Sequence, residues 1–421
     1  MKRLIEKILK FFAKWYLNRK KPDIIAITGS VGKTTTKKAA ALLVARKFKI
    51  TESFESGYNT EIGVPLFILG QKVPKNNILW PLTLVKCFFK IFGKEKPEKL
   101  VIEMGADKPG DISYFLSFIK PNISVVTAIS ETHLEQFKTV ENVFREKKKL
   151  VEALPPDGVA ILNFDDPLVL SLSSKTQAEV LTFGLSEKAD VFASDIKTSI
   201  GGTDFILNIK SRKAKIPLKV MSLGEHSLYP LLAAAACGAS LEISSKIIKE
   251  TLQGFKPMRG RMNLIPGIKD SFLIDDSYNA NPQADKEALT TLKKIAPKRK
   301  IAVLGTMNEM GDYFEEVHKR VGKEAAQVAD ILVTVGEGGR IIGEEAISYG
   351  MNPRKVFMKD DAEEAGELLR KIIEPEDTVL FKGSQNNVRL EKAVAKVMKE
   401  SSRAKELLVR QDESWGKRLN S

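Results

Sequence analysis

At 421 residues the chain is too long for one ordinary domain and calls for two or three. Its 43% hydrophobic and 29% charged residues are an ordinary globular balance that allows a real core. The net charge of +14 suits polyanionic substrates, anionic membranes or nucleic acid, and the two cysteines, Cys87 and Cys237, form neither a disulfide framework nor a metal-type spacing, as in a reducing cytoplasm.

Residues 2–21 carry eight Lys or Arg between apolar positions at helical spacing, among them Ile5, Leu9, Phe12, Trp15 and Tyr16. This is a basic amphipathic helix and not a signal peptide, which needs an unbroken apolar stretch and a cleavage site. Packing on the chain's own fold is the plainer use of its apolar face, and docking at an anionic membrane is the alternative. No run reaches the roughly 20 apolar residues of a membrane span.

After Pro22 the pattern is strand, glycine loop, helix: Ile24–Thr28, Gly29–Lys33, Thr34–Arg46. Apolar runs at Leu100–Met104, Ile123–Ile129 and Val159–Asn163 predict buried parallel strands with helices between them. Residues 189–219 alternate more, as a small antiparallel extension would. The stretch Lys75–Lys96 is an apolar insertion flanked by lysines, either a core helix or a lipid-facing one.

Residues 22–256 thus predict an α/β nucleotide-binding domain, and 257–421 a second α/β unit with a doubly wound parallel sheet. Its expected strands are Phe272–Asp275, Ile301–Gly305, Ile331–Val335, Lys355–Met358 and Val379–Lys382. Helical patterns separate them at Pro282–Ile295, Glu315–Ala329 and Ala362–Ile373, and another follows at Leu390–Lys399. The last 20 residues are charged and aperiodic, as in a frayed helix or tail.

Gly29-Ser30-Val31-Gly32-Lys33-Thr34-Thr35 follows a strand and opens a helix. Glycines let backbone N–H groups curl round phosphate oxygens, and the helix terminus adds a favourable dipole. Lys33 is placed to reach the β- and γ-phosphates, and Thr34 to hold Mg²⁺. This is a phosphate loop. Glu103 ends an apolar strand, where ligands of open α/β sheets bind, so its carboxylate is also placed for Mg²⁺.

The short Thr-Gly-x-x-Gly-Lys-Thr form of the loop resembles the Mur ligases of cell-wall synthesis, and other elements follow in that family's order. They are Tyr58-Asn59-Thr60-Glu61-Ile62-Gly63-Val64-Pro65, Glu103-Met104-Gly105-Ala106, and His133-Leu134-Glu135 with Lys147 fourteen residues on. Asp275-Asp276-Ser277-Tyr278-Asn279-Ala280-Asn281-Pro282 and Val303-Leu304-Gly305 with Met310-Gly311 complete the pattern. The Asp-Ser-Tyr-Asn-Ala-Asn-Pro string is most similar to the branch that adds D-alanyl-D-alanine to a peptidoglycan precursor peptide.

The resemblance implies a phosphate-loop parallel-sheet domain followed by a Rossmann-like one, and an ADP-forming amide ligase working through an acyl phosphate. ATP would lie in the Gly29–Thr35 loop with Mg²⁺ on Thr34 and Glu103. A second Mg²⁺ would lie on His133 and a carbamylated Lys147, with Lys148 and Lys149 leaving the register open by a residue or two. His226, Arg261, Asp276 and Asn279 would contact the nucleotide, and Asn59, Thr60, Tyr278, Asn281, Lys382 and Ser384 the substrates. A muropeptide carboxylate, an amine, a monomer and a cytoplasmic setting are expected, with peripheral membrane contact through residues 1–21 and 76–92 as an option.

Three departures stand out, one of them the Lys75–Lys96 insertion, which is a core helix, a lipid-facing helix or a surface that compensates for a family domain not expected in this chain. Only 28 residues precede the loop, so the UDP-binding domain of the family is not expected ahead of it. In Gly224-Glu225-His226-Ser227-Leu228-Tyr229-Pro230, Ser227 and Pro230 replace two asparagines of the family's adenine element, which predicts weaker base recognition. Rival readings are folylpolyglutamate, poly-amino-acid or pseudomurein ligases, a nucleotide-binding protein without turnover, and a nucleic-acid-dependent ATPase. The last lacks an aromatic-studded basic motif.

Overall fold

Apolar runs without polar alternation fold as strands covered on both faces. In the computed structural model, which describes residues 2–51, 58–74, 76–385 and 388–411, the early runs do so. The strands β1 (Asp23–Thr28), β2 (Lys99–Glu103), β3 (Ile123–Val126), β4 (Val159–Asn163), β5 (Glu179–Gly184) and β6 (Val191–Ser199) are parallel. β7 (Gly202–Ile209) and β8 (Ala214–Val220) extend the same sheet antiparallel, giving the order β2-β1-β3-β4-β5-β6-β7-β8. The extension expected at 189–219 is therefore β6–β8.

A second sheet holds β9 (Asn263–Pro266), β10 (Phe272–Asp276), β11 (Lys300–Gly305), β12 (Ile331–Val335), β13 (Val356–Lys359) and β14 (Thr378–Lys382). Its order is β13-β12-β11-β14-β10-β9, parallel except for β9 against β10. This is the doubly wound arrangement the alternation predicts. Among the elements that escape the pattern are β5, β9 and the helices Ser245–Gln253 and Gly336–Ser348. β3 also stops at Val126, short of Ile129, because the chain leaves the ladder to serve the glycine loop. There Ser30 N–H donates to the Ala128 carbonyl at 2.7 Å, and Thr127 Oγ1 to the Val31 carbonyl at 2.5 Å.

Four helices matter near the first sheet: α1 (Lys2–Lys20), α2 (Lys33–Val44), α3 (Gly63–Ile68) and α4 (Trp80–Phe92). α2 and the alanine-rich helix Tyr229–Ser240 pack together over one face of the sheet, and α1, α3 and the helix Val140–Glu152 share the core of the other. α1 buries Ile5, Leu9, Ala13, Tyr16 and Leu17 and packs on α3 and α4, as the plainer reading of its apolar face expects. α4 buries only one side, through Trp80, Thr83, Cys87 and Ile91. It is neither a core helix nor a span, and among the described residues no helix is long and apolar enough to cross a membrane.

The end of the described chain is not the frayed tail its composition suggests. Leu408 is buried, and buried Arg410 pairs with Glu391 at 3.0 Å and donates to the Ser277 carbonyl at 3.2 Å. Residues 412–421 lie outside the described residues.

Candidate active site

In open α/β sheets a crevice forms at the carboxyl ends of the strands where their order reverses. β1 lies between β2 and β3, so the glycine loop emerges at that point. Gly29 has φ +148°, and a Cβ on it would lie 1.9 Å from Thr127 Oγ1. Gly32, at φ +80°, leads into α2. Only glycine passes here without strain or collision. Lys33 Nζ folds back to donate to the carbonyls of Gly29 at 2.7 Å and Ser30 at 3.1 Å. Burial lowers its pKa, against the pull of Glu103.

Neighbouring strand ends bring the acids. Glu103 at the end of β2 accepts from Thr34 Oγ1 at 3.2 Å. Arg261, which precedes β9, reaches Thr34 Oγ1 at 3.4 Å and lies 4.2 Å over the Tyr278 ring. His133, after β3 and at φ 53°, bonds through Nδ1 to Glu309 at 2.6 Å and lies 3.5 Å from Asp107. The bond to His133 and its charge lower the pKa of Glu309 against burial. Residues of both sheets thus meet across the cleft.

The second sheet supplies the facing wall. Lys382, at the end of β14, donates to Asp276 at 2.6 Å and to the Asn279 carbonyl at 3.0 Å. Asp276 also takes the Met262 N–H at 3.1 Å. Asn281 caps the helix Pro282–Ile295 by accepting from Ala284 N–H at 3.0 Å, so its carbonyl is already engaged. Ser384 accepts from the Asn308 N–H at 2.9 Å, behind the cleft surface. On the first sheet, Thr60 Oγ1 accepts from Gly63 N–H at 3.1 Å ahead of α3, leaving Asn59 and Thr60 in the cleft wall.

His226, Ser227 and Pro230 line another part of the wall. His226 is half-buried, and loss of solvent lowers its pKa; its Nδ1 lies 3.5 Å from Thr291 Oγ1. Beside it stand polar residues that sequence reasoning missed: Asn163 at the end of β4, then Asp165, Asp166 and Tyr229. Tyr229 donates to Asp165 at 3.0 Å, and Asp166 accepts from Ile129 N–H at 2.7 Å. The rule that singled out Glu103, a polar group closing an apolar strand, applies equally to Asn163.

Lys147 bonds to the glycine loop. It is buried, and its Nζ donates to the Gly29 carbonyl at 2.9 Å, the oxygen that Lys33 also uses. Burial first, and the charge of Lys33 second, hold its pKa well below the ordinary value. Lys147 and His133 thus find different partners, and Lys147, Gly29 and Ser384 do not line the cleft. The other singled-out residues do, round a volume of about 960 Å³.

Among the described residues no group of three or more His, Cys, Asp or Glu forms a metal cage. Mg²⁺ rarely uses one; it takes one or two protein oxygens plus phosphates and water. The Thr34 hydroxyl and Glu103 carboxylate, 3.2 Å apart beside the phosphate loop, fit that demand. Ser130 Oγ, Asn308 Nδ2 and Arg261 Nε, all on cleft residues, are buried without a hydrogen-bond partner among the described residues. Such groups suit a polar ligand.

Residues 27–238 match the Mur ligase middle domain, and residues 260–385 the Mur ligase glutamate ligase domain. The chain belongs to the Mur ligase family. It is therefore an ATP-dependent, ADP-forming ligase. The UDP-N-acetylmuramoyl-tripeptide–D-alanyl-D-alanine ligase of Bacillus subtilis is 29% identical over 92% of this chain and 78% of its own. The enzyme of that name from Mycobacterium bovis is 30% identical over 86% of this chain and 70% of its own. A crystal structure of MurF from Acinetobacter baumannii superposes with a TM-score of 0.77 at 25% identity, covering 93% of this chain and 80% of that one. The two sheets of this Mur ligase are thus the family's fold.

Proposed function

We propose that this Mur ligase adds D-alanyl-D-alanine to the tripeptide carboxylate of a UDP-muramoyl precursor, as the names of its relatives indicate for those enzymes. The observation that carries the reading is the convergence of Lys33, Thr34, Glu103 and His133 with Arg261, Asp276 and Lys382 in one cleft between two sheets. Residues 1–21, 22–256 and 257–421 would act as helix, ATP-binding domain and C-terminal domain, in a cytoplasmic monomer.

The γ-phosphate would sit at the backbone N–H groups of the glycine loop, and Lys33 would leave the Gly29 and Ser30 carbonyls for it. Thr34 and Glu103 would hold Mg²⁺, which when bound offsets negative charge on the phosphates. The acceptor carboxylate attacks the γ-phosphorus and ADP leaves with the bridging oxygen. The amine then attacks the acyl carbon; the carbon–oxygen bond breaks, inorganic phosphate leaves and the amine loses a proton. Arg261 and Lys33 offset charge on the transferring group from opposite sheets. His133, steered by Glu309 and Asp107, would orient groups at the acceptor side.

Two readings of Lys147 are carried separately. The resemblance makes it a carbamate that helps hold a second Mg²⁺, and burial that disfavours its ammonium form supports this. Its bond to the Gly29 carbonyl instead favours an uncarbamylated amine that clamps the phosphate loop.

Acceptor labelled with ¹⁸O in the reacting carboxylate tests the acyl phosphate. One label should pass to the released phosphate for each amide formed. Phosphate released without label would exclude the intermediate.

A further inference from the structure

The positive charge of the chain is concentrated. Residues 2–21 and 72–96 hold 14 of the 67 Lys and Arg but two of the 53 Asp and Glu, leaving 53 bases and 51 acids elsewhere. In the fold these two segments meet, because α1 packs on α4.

The outer side of this pair is apolar at its centre. Ile78, Leu82, Val85, Phe89 and Phe92 recur every three or four residues along α4 and the turn before it, opposite its buried side, and all are exposed. Phe89 is 65% exposed, and Phe11 of α1 is 60% exposed. Ring contacts join the helices: Phe12 to Phe88 at 5.9 Å, and Trp15 to Phe88 at 6.1 Å and to Phe92 at 5.3 Å. Arg19 lies 5.4 Å over Phe92, and Lys14, Lys86 and Lys94 are exposed.

Soluble surfaces rarely leave such a contiguous patch bare. What covers it must be apolar where the rings are and anionic where the lysines are. Protein interfaces are depleted in lysine at their apolar centres. A second copy would bring the same positive charge to the contact, which opposes pairing. The headgroup boundary of an anionic bilayer meets both demands, with aromatic rings at the acyl edge and lysines at the phosphates.

We propose that the α1–α4 face is a peripheral docking surface for an anionic lipid bilayer, with Phe11, Phe89 and Phe92 at the headgroup boundary. α1 also packs on α3, which follows Asn59 and Thr60 of the cleft wall, so docking surface and cleft share one scaffold.

Cosedimentation of the full chain with extruded vesicles tests this. Vesicles of phosphatidylglycerol and phosphatidylcholine should bind the protein, and pure phosphatidylcholine should not. Raising NaCl from about 0.1 M to about 0.5 M should weaken binding roughly tenfold or more by screening the lysines. A Phe11→Ser/Phe89→Ser variant and a Lys14→Glu/Lys86→Glu variant should each weaken it about tenfold at unchanged melting temperature. The charge variant keeps the test open should the apolar one fail to fold. The proposal is overturned if the full chain ignores anionic vesicles, or if folded variants bind as well as the original. A dimer in sedimentation velocity that both variants dissolve, without vesicle binding, would assign the face to a second copy instead.

Discussion

Lys33 and Lys147 place two amines on one backbone oxygen, that of Gly29, in a site where burial lowers both pKa values. Two like charges so placed repel in a medium of low dielectric, so one amine gives up its proton readily. Replacing Lys147 with Ala should lower ligation roughly 100-fold if it supports phosphoryl transfer in either role. The roles separate on rescue. Short carboxylic acids should restore part of the activity of a carbamate-deficient enzyme and none of that of an enzyme lacking a loop clamp. Full activity in the variant would remove Lys147 from the site. Asp285 offers a test on stability. It is fully buried near Lys382, 3.9 Å away, and neither carboxyl oxygen has a hydrogen-bond partner among the described residues. Burial raises its pKa to about 7, above an ordinary value of 3.8. The folded state therefore holds this proton more tightly than the unfolded chain, and that contribution, present at pH 4, is lost as pH rises through 7. Asp285→Asn should leave stability near pH 4 little changed and raise it by up to roughly 4 kcal/mol near pH 8. Thermal unfolding at both pH values measures this, and a gain that shrinks with pH would contradict it.

Elements whose role is written in a few adjacent residues were legible from sequence. β12 and the helix Pro282–Ile295 match their apolar patterns, and the Gly29–Thr35 loop declares itself by glycines at a strand end. β5 did not, since Glu179 and Thr182 interrupt its apolar run and its partners β4 and β6 supply the burial. The C-terminal segment misled for a related reason. Charged residues without period read as solvated, yet Arg410 is paid for by partners distant in sequence, Glu391 and the carbonyls of Ser277 and Tyr278. Arg389 bonds Glu391 as well, at 3.0 Å, so Glu391 would keep one partner without Arg410. Arg410→Met should accordingly cost about 2 kcal/mol, below the usual figure for breaking a buried pair. It should also loosen the segment carrying Tyr278 and Asn279, raising the ATP concentration needed for half-maximal rate. Denaturant titration and ATP kinetics test both, and an unchanged midpoint would sink the packing role.

At the scale of the whole molecule, the candidate site depends on both sheets. Glu103 and Lys33 could be picked out one at a time, because strand ends and phosphate loops are local signals. The pairing of His133 with Glu309, and of Arg261 with Thr34, joins the two sheets and has no local signature. Asp165 and Tyr229, in the cleft wall with Ser227 and Pro230, likewise lack a local signature, whereas Asn163 closes an apolar strand as Glu103 does. The central claim is that this two-sheet cleft couples ATP cleavage to amide formation. It is tested most directly by incubating the full chain with ATP, Mg²⁺, a UDP-muramoyl tripeptide and D-alanyl-D-alanine, then counting ADP and extended peptide by chromatography and mass spectrometry. The account predicts the two products in equal amounts, neither without both substrates, and a loss of roughly 10²–10³-fold in Lys33→Ala and Glu103→Ala. ADP formed without regard to the substrates, or ligation that survives both substitutions, would contradict it.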